Sequence, residues 1–290
     1  MDKTSLGDRM KKFESIPSIQ LMPKTPVIIR LDGKAFHTLT RGMNRPFDDL
    51  LIQTMQQTTK ALVENIEGCE FGYTQSDEIS LLLTDYKKFE TQAWFDYKVQ
   101  KIVSIAASMC SVYFNQFFKM NFCNEATILE LSEKNGKLTD YSDKSAFFDA
   151  RAFNVPKEEV VNCFVWRQQD CTRNSIQMVG QANFSHKELH GKSCEVIQEM
   201  LWSQKKINWD SIETHKKRGA CVYKRNIVIK NNIVYNLDDE VGYPKSKEER
   251  LRMLNYPVVR TEYFFDTEIP IFTQDRNFIQ KWVDVEQHDN

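Results

Sequence analysis

The chain has 290 residues, of which 41% are hydrophobic and 27% charged, the balance of a globular protein with a sizeable core. Only 10 glycines and 8 prolines are present, which excludes a fibrous or largely disordered chain. The formal net charge of -1 gives no global attraction to nucleic acid, so any RNA contact has to rest on local positive charge. The 7 cysteines are odd in number and include no C-x-x-C pair, which argues against a disulfide framework or a metal cluster and fits a reducing compartment. The start, MDKTSLGDRMKKFES, has no apolar leader region, and no run is long and apolar enough to cross a bilayer. The expectation is a soluble, cytoplasmic protein without a membrane partner.

Val27 to Leu31 is the first clear strand, ending on Asp32-Gly33. A polar loop with Gly42 and Pro46 leads to Asp48, a plausible N-cap for a helix to about Glu67. Its apolar positions Leu51, Met55, Leu62 and Ile66 recur at helical spacing. Residues 69–74 and 79–83 are short apolar runs around the turn Gln75-Ser76-Asp77-Glu78, a β-hairpin pattern. Phe95, Val99, Ile102, Val103, Ala106, Cys110, Tyr113 and Phe117 mark one face of a long helix. Residues 131–145 look like a loop, and Phe147 to Val155 a strand stopped by Pro156. The order is strand, helix, strand, strand, helix, strand. This is a ferredoxin-like split βαβ unit, in which helices cover one face of an antiparallel sheet.

The second half is less regular. Residues 160–202 look mainly helical, and Gly219 opens a strand-like region. Ile227 to Lys230 and Ile233 to Asn236 flank Asn231-Asn232, a hairpin signal. Glu248 to Leu254 reads as a short charged helix and Val258 to Phe265 as a strand. The expected fold class is α+β, divided into a catalytic domain over residues 1–158 and a partly helical, hairpin-containing region over 159–290 that completes the fold and contacts RNA.

Two-metal phosphoryl transfer needs hard oxygen ligands close together. Asp32 closes a strand and Asp77-Glu78 occupies a hairpin turn, so neighbouring strands would bring these acids together. Gly33 would let the backbone approach an ion and offer its carbonyl. Asp-Gly and Ser-Asp are also ordinary turn residues, and each alone is explained by turn chemistry. The pair within one split βαβ unit is what points to metal-dependent catalysis. Lys34, His37 and Arg45 follow in the same loop and are candidates for a triphosphate, as are Lys98 and Lys101, three apart on the long helix. On the residues alone a solvated helix face is the better account of the two lysines, and a lone histidine such as His37 is more often a packing or surface residue than a ligand. The stretch Trp166-Arg167-Gln168-Gln169-Asp170-Cys171-Thr172-Arg173-Asn174-Ser175 is dense in groups able to bind phosphates and bases, though a helix with one polar face has the same composition. Basic runs at 205–206, 216–218, 224–225 and 245–252 suit an RNA backbone or simply water.

Two apparent motifs fail. Gly191-Lys192-Ser193 ends like a P-loop, but the first glycine would have to stand at His186. His186 and His190 are four apart, but a zinc-protease motif needs Glu where Lys187 stands.

Three stretches in register carry a family resemblance. They are Arg30-Leu31-Asp32-Gly33-Lys34-Ala35-Phe36-His37, Tyr73-Thr74-Gln75-Ser76-Asp77-Glu78 and Trp166-Arg167-Gln168-Gln169-Asp170-Cys171. Over residues 5–225 the chain resembles the tRNA-histidine guanylyltransferase family of 3′–5′ polymerases. Asp149-Ala150-Arg151 looks like the family's Asp-Gly-Arg strand, with Ala150 in place of glycine, and Lys217-Arg218-Gly219 like a later motif. The resemblance implies a polymerase-like palm with two magnesium ions on Asp32, the Gly33 carbonyl and Asp77, with Glu78 as the neighbouring acid. It implies that Asp32, Gly33, Lys34, Ala35, Phe36, His37, Ser76 and Asp77 line the nucleotide site, and that Arg45, Lys98 and Lys101 bind phosphates. Arg151, Arg167, Asp170, Arg173, Asn174, Lys217 and Arg218 would face the RNA 5′ end. ATP and GTP are the implied substrates beside tRNA, and a homotetramer, a dimer of dimers, the implied assembly. The family's histidine-specific enzymes follow Asp-Cys with His-Ile-Asn-Asn. Thr172-Arg173-Asn174-Ser175 and the start Gly7-Asp8-Arg9-Met10-Lys11 instead resemble the "like protein" branch, associated with template-directed repair of 5′-truncated tRNA. Histidine-specific guanylylation is the alternative, as is a palm-type nucleotide cyclase that uses the same acids without RNA.

Overall fold

The computed structural model describes residues 5–87, 91–123, 144–230, 233–236 and 259–284. Strands β1 (Val27–Gly33), β2 (Cys69–Gln75), β3 (Glu78–Leu83) and β4 (Phe148–Asn154) stand in the sheet order β4-β1-β3-β2, all antiparallel. This is the ferredoxin-like order, with α3 (Asp49–Asn65) and α4 (Val99–Phe122) as its two helices. The sheet continues past residue 158, because β5 (Ala220–Lys230) pairs with β2, and β6 (Ile233–Asn236) and β7 (Val259–Asp266) both pair with β5.

Burial explains why β1 is apolar without interruption until Arg30. Val27, Ile29 and Leu31 pack with α3 and α4 on one face. Ile28 faces the other way, with Phe71, Tyr73 and Leu82, towards α5 (Lys157–Asn183) and α9 (Asn277–Val283). A strand covered on both sides has no polar alternation to display. The palm helices thus share one face, and the helical C-terminal part covers the second. A third apolar cluster joins α5 to α6 (His186–Leu189) and α7 (Cys194–Lys205) around Ile176, Val179, Ile197 and Trp209.

The local signals in the first half fold as the residues dictate. The Asp48 carboxylate accepts the Leu51 N–H at 3.3 Å and the Asn44 N–H at 2.9 Å, capping α3. Gly68 then turns the chain at φ +76, where a Cβ would lie 2.9 Å from the Thr84 carbonyl oxygen. The hairpin closes at Gln75↔Glu78 around Ser76-Asp77, and Ser76 adopts φ +48.

Two features differ from expectation. The long helix begins at Val99, so Phe95 and Lys98 lie outside it. Phe95, Asp96 and Tyr97 take left-handed φ values of 52, 52 and 54, and Lys98 is extended. The apolar residues there serve a turn, with Trp94 and Tyr97 inward and Phe95 outward. The buried stripe of α4 is Ile102, Ala106, Cys110, Phe114 and Phe118, a strict four-residue repeat. The second difference is α1 (Ser5–Ser15), a helix with no buried residue whose Leu6, Met10 and Phe13 are exposed. The hairpin tip at Asn231-Asn232, the loop over 131–143 and the helix expected at Glu248 to Leu254 fall outside the described residues.

The Phe114 ring meets Phe36 and Phe148 edge-on or tilted, at centroid distances of 5.4 Å. It therefore ties α4 to the segments that leave β1 and enter β4. Phe114→Ala is expected to lose roughly 3–5 kcal/mol in urea unfolding, whereas Ile105→Ala, on the exposed side of the same helix, stays within about 0.5 kcal/mol.

Candidate active site

Asp32 ends β1, where the register sets it opposite Glu78 on β3 and Asp149 on β4. The Gly33 N–H donates to the Asp77 carbonyl oxygen at 3.1 Å, fastening the hairpin tip to the end of β1. A side chain at residue 33 would collide with the Phe36 ring, since a Cβ would lie 2.3 Å from it. Ala35 makes the turn into the short helix α2 (Phe36–Leu39) with φ 55. Burial pushes the Asp77 carboxyl above its ordinary value, hydrogen bonds from its own backbone and Ser76 oppose this, and the charge of Asp32 adds to the rise. The two neighbouring carboxylates form an oxygen-only donor set suited to a hard divalent cation. Among the described residues no three His, Cys, Asp or Glu side chains converge. The two carboxylates suit magnesium, which commonly takes one or two of them and completes its shell with water and phosphate oxygens.

Glu78 has a different environment. Its Oε2 accepts from Arg167 at 3.2 Å, and Arg167 donates to Asp170 at 2.7 Å. Burial raises the Glu78 carboxyl, partly offset by Arg167 and Arg30. Oε1 of Glu78 is buried without a partner, as are the Nε atoms of Arg30 and Arg167. The Arg167 guanidinium also lies 4.0 Å from the Trp166 ring centroid, and that of Arg30 5.6 Å.

Beside the acids lies a cleft of about 490 Å3, within the usual range for a small-molecule site. Phe36, His37 and Arg45 line it from one side, Ser76 and Asp77 from the hairpin tip, and Asn174 from α5. Sequence reasoning missed further lining residues: Thr40, Asn44, Asp48, Gln75, His215 and Lys216. His215 and Lys216 belong to α8 (Thr214–Arg218), which Lys216 ties to Asp49 at the start of α3 at 2.8 Å. No sequence signal marks that long-range pairing. Burial lowers the His215 pKa.

The structure does not gather every candidate. Lys34 follows Gly33 and is exposed. Lys98 and Lys101 stand at the start of α4. Residues Ser111 and Asn115 of that helix hydrogen-bond Phe148 and Ala146 at the acid end of the sheet. Lys101 is ten residues further back, about 15 Å along the axis. Arg151 sits opposite Arg30 in the register and near Asp149 at 3.9 Å, its side chain 57% exposed. Arg173 is exposed and ion-paired with Asp170, to which Asn174 also donates at 3.3 Å. Lys217 is only 4% exposed and is bonded to Asp210, so it is a packing residue in this chain. Arg218 is half-buried, 3.7 Å from the same carboxylate. Arg167 is likewise internal rather than open to a ligand.

A palm sheet with paired carboxylates at the end of its first strand and first hairpin, next to a nucleotide-sized cleft, defines a nucleotidyltransferase of the palm class. A model of the tRNAHis guanylyltransferase (Thg1) family matches residues 7–156. The structure superposes with a TM-score of 0.75 on a bacterial tRNA(His) guanylyltransferase-like protein in complex with ATP, 37% identical, covering 97% of this chain and 100% of that one. A second such structure, in complex with GTP, gives a TM-score of 0.72 at 35% identity, covering 97% and 99%. The tRNA(His) guanylyltransferase of Debaryomyces hansenii is 27% identical over 230 residues, 73% of this chain and 80% of that protein. The chain belongs to the tRNAHis guanylyltransferase family and is a 3′–5′ nucleotidyltransferase. No described helix is long and apolar enough to cross a membrane.

Removing one partner of a buried ion pair strands the other. Arg167→Met, which leaves the largely buried Glu78 carboxylate without its hydrogen-bonding cation while Asp170 keeps Arg173, is expected to lose about 3–5 kcal/mol in urea unfolding. Asp77 acts in the opposite sense. Its folded pKa lies above the ordinary 3.8. Its contribution to stability is therefore complete below that ordinary value and is lost as pH rises through the folded one. Without a divalent cation, Asp77→Asn should melt at a higher temperature than the native protein at pH 7. The difference should vanish near pH 3, where both side chains are neutral. Melting curves in chelator across this range check both statements.

Proposed function

We propose that this protein repairs 5′-truncated tRNA by template-directed addition of nucleotides to the 5′ end. The observation that carries the reading is the convergence of Asp32 and Asp77 beside the cleft. Asp32, Asp77 and the Gly33 carbonyl would hold two magnesium ions, with Glu78 as a neighbouring acid steadied by Arg167. The ions, when bound, lower the pKa of the attacking hydroxyl and neutralise the triphosphate. Phe36, His37, Arg45 and Ser76 line the space for the nucleoside triphosphate, ATP or GTP. Lys34 is exposed at the turn that follows Gly33. Asn174, on α5, lines the same space and would face the RNA end.

In the reaction, the RNA 5′-monophosphate first attacks the α-phosphorus of ATP, forming an adenylylated 5′ end and releasing pyrophosphate, so that AMP is the activating group. The 3′-hydroxyl of the incoming nucleotide then attacks the activated 5′ phosphorus, and the bond from that phosphorus to its activating group breaks. Pyrophosphate is removed from the added nucleotide last. The residues contribute position: the cleft fixes the nucleotide, and the β1 end and hairpin tip fix the acids. Preference for repair over histidine-specific addition is supported by Thr172-Arg173-Asn174-Ser175, of which Asn174 and Ser175 line the cleft. It is also supported by the higher identity to the bacterial like protein than to the Debaryomyces enzyme. A homotetramer is part of this reading. The outward apolar residues of α1 support an assembly, and the distance of Lys98 and Lys101 from the acid end of the sheet is consistent with a role at a neighbouring copy's site.

The test gives purified protein, magnesium, ATP and GTP to a 5′-labelled tRNA lacking its first nucleotide. Growth at the labelled end is expected, reduced at least about 10²-fold in Asp32→Ala and Asp77→Ala. Similar rates on several truncated tRNAs support repair, and strict dependence on the histidine anticodon overturns it. A cyclic product from nucleotides alone, with no RNA growth, would identify a cyclase.

A further inference from the structure

We infer that the indole of Trp166 is the platform on which the base at the RNA 5′ end stacks, with Arg151 and Arg173 flanking it to meet phosphates. This deepens the proposed function and rests on it.

The placement of Trp166 is unusual in its own helix. The apolar positions of α5 such as Val160, Val161, Phe164 and Ile176 are buried, yet Trp166 is 52% exposed. Two guanidinium groups lie against its ring, Arg167 at 4.0 Å and Arg30 at 5.6 Å. Arg167 does not need the ring, because Glu78 and Asp170 already accept its hydrogen bonds. The consequence falls on the indole, which rests on a guanidinium that Glu78 and Asp170 hold in place, with Arg30 at its other edge. A rigid, half-exposed aromatic surface suits base stacking, and its contact does not depend on base identity.

The surroundings match that ligand. Arg30 precedes Asp32 by two residues on the same face of β1, roughly 7 Å along the strand. A 5′ phosphate at the acid pair therefore carries its own base within reach of Trp166. Arg151 is the cross-strand neighbour of Arg30, and Arg173 follows Trp166 by seven residues on the same side of α5. Both side chains are exposed, and their carboxylate partners are Asp149 and Asp170. The Arg151–Asp149 pair is exposed on both sides and weak enough to yield to phosphate, whereas Arg173 pairs with the partly buried Asp170 and keeps donors free for one. Trp166 does not line the nucleotide cleft, so the platform and the incoming nucleotide occupy different places.

The experiment compares native protein, Trp166→Ala, Trp166→Phe and Trp202→Ala in extension of truncated tRNA and in tRNA binding. Trp202 is an equally exposed tryptophan on α7 and serves as the control. Trp166→Ala should raise the KM for tRNA and weaken tRNA binding about tenfold, as expected for loss of one stacked base. The KM for ATP should not move, Trp166→Phe should recover most of the loss, and Trp202→Ala should match the native protein. Binding of tRNA should quench tryptophan fluorescence in the native protein, and much of that quench should disappear in Trp166→Phe, a readout independent of activity.

An unchanged tRNA KM in Trp166→Ala, or an undiminished quench in Trp166→Phe, overturns the proposal. A fall in sedimentation mass in Trp166→Ala also overturns it, by making Trp166 a contact between copies of the chain. If the native protein neither binds nor extends tRNA, the functional reading itself fails, whatever the variants do.

Discussion

The hydrogen bond from the Gly33 N–H to the Asp77 carbonyl holds together two pieces of chain that electrostatics would separate. It joins the end of β1 to the tip of the β2–β3 hairpin, and so sets Asp77 beside Asp32 in a partly desolvated corner. The arrangement is unfavourable in isolation: burial raises the Asp77 carboxyl, and the charge of Asp32 adds a smaller rise. It persists because the strands that impose it are covered on both faces. Val27, Ile29 and Leu31 are sealed by α3 and α4, and Ile28, Leu82 and Phe71 by α5 and α9. Hydrophobic burial on this scale outweighs one repulsive pair. A divalent cation would reverse the sign of the repulsion, which is why strain and function coincide at this point.

Much of this was legible in the sequence because it is local. The uninterrupted run into Asp32-Gly33, the cap at Asp48 and the turn at Ser76-Asp77 each depend on residues within a few positions, and each folds accordingly. The split βαβ order then fixes the neighbours of β1 without further information. What was not legible depends on distant partners. Phe95 fits a helical stripe by spacing, but Trp94 and Tyr97 find burial on either side of it and bend the chain. Lys216 looks like one member of a solvated basic run, whereas its partner Asp49 lies on another helix far away in sequence. The cleft it helps to close could not be seen from either stretch alone. In α1, Leu6, Met10 and Phe13 carry the helical spacing, but a marginal amphipathic pattern with Gly7 inside it is a weak signal.

Charge in a sequence also gives no indication of burial. Arg167, Lys217 and Arg173 look equivalent as candidate RNA contacts. Arg167 instead bridges two carboxylates beneath Trp166, Lys217 is enclosed by Asp210 and Trp209, and only Arg173 faces water. A buried cation has to be paired, and Arg167 and Lys217 donate to carboxylates within the fold, so they fix the helix rather than the ligand. The density of polar groups between Trp166 and Ser175 is therefore two things at once: an internal latch on one side of α5 and a ligand-facing surface on the other.

That division makes α5 the element that relates the substrates. One side presents Cys171, Asn174 and Met178 to the cleft. The same side, one turn earlier, sends Arg167 to Glu78, and another carries Trp166 and Arg173 outward. A single 27-residue helix thus sets the distance between the nucleotide, the acids and the outer surface. A helix of that length with apolar residues buried against the sheet moves as a rigid body if it moves at all. In a reaction that joins the 3′-hydroxyl of one substrate to the 5′ phosphorus of another, relative position is most of what a protein can supply. The Arg167–Glu78 pair couples that positioning to the strand that follows Asp77. A displacement of α5 would reach the metal-ligating end of the sheet through one buried ion pair, with no flexible loop in between.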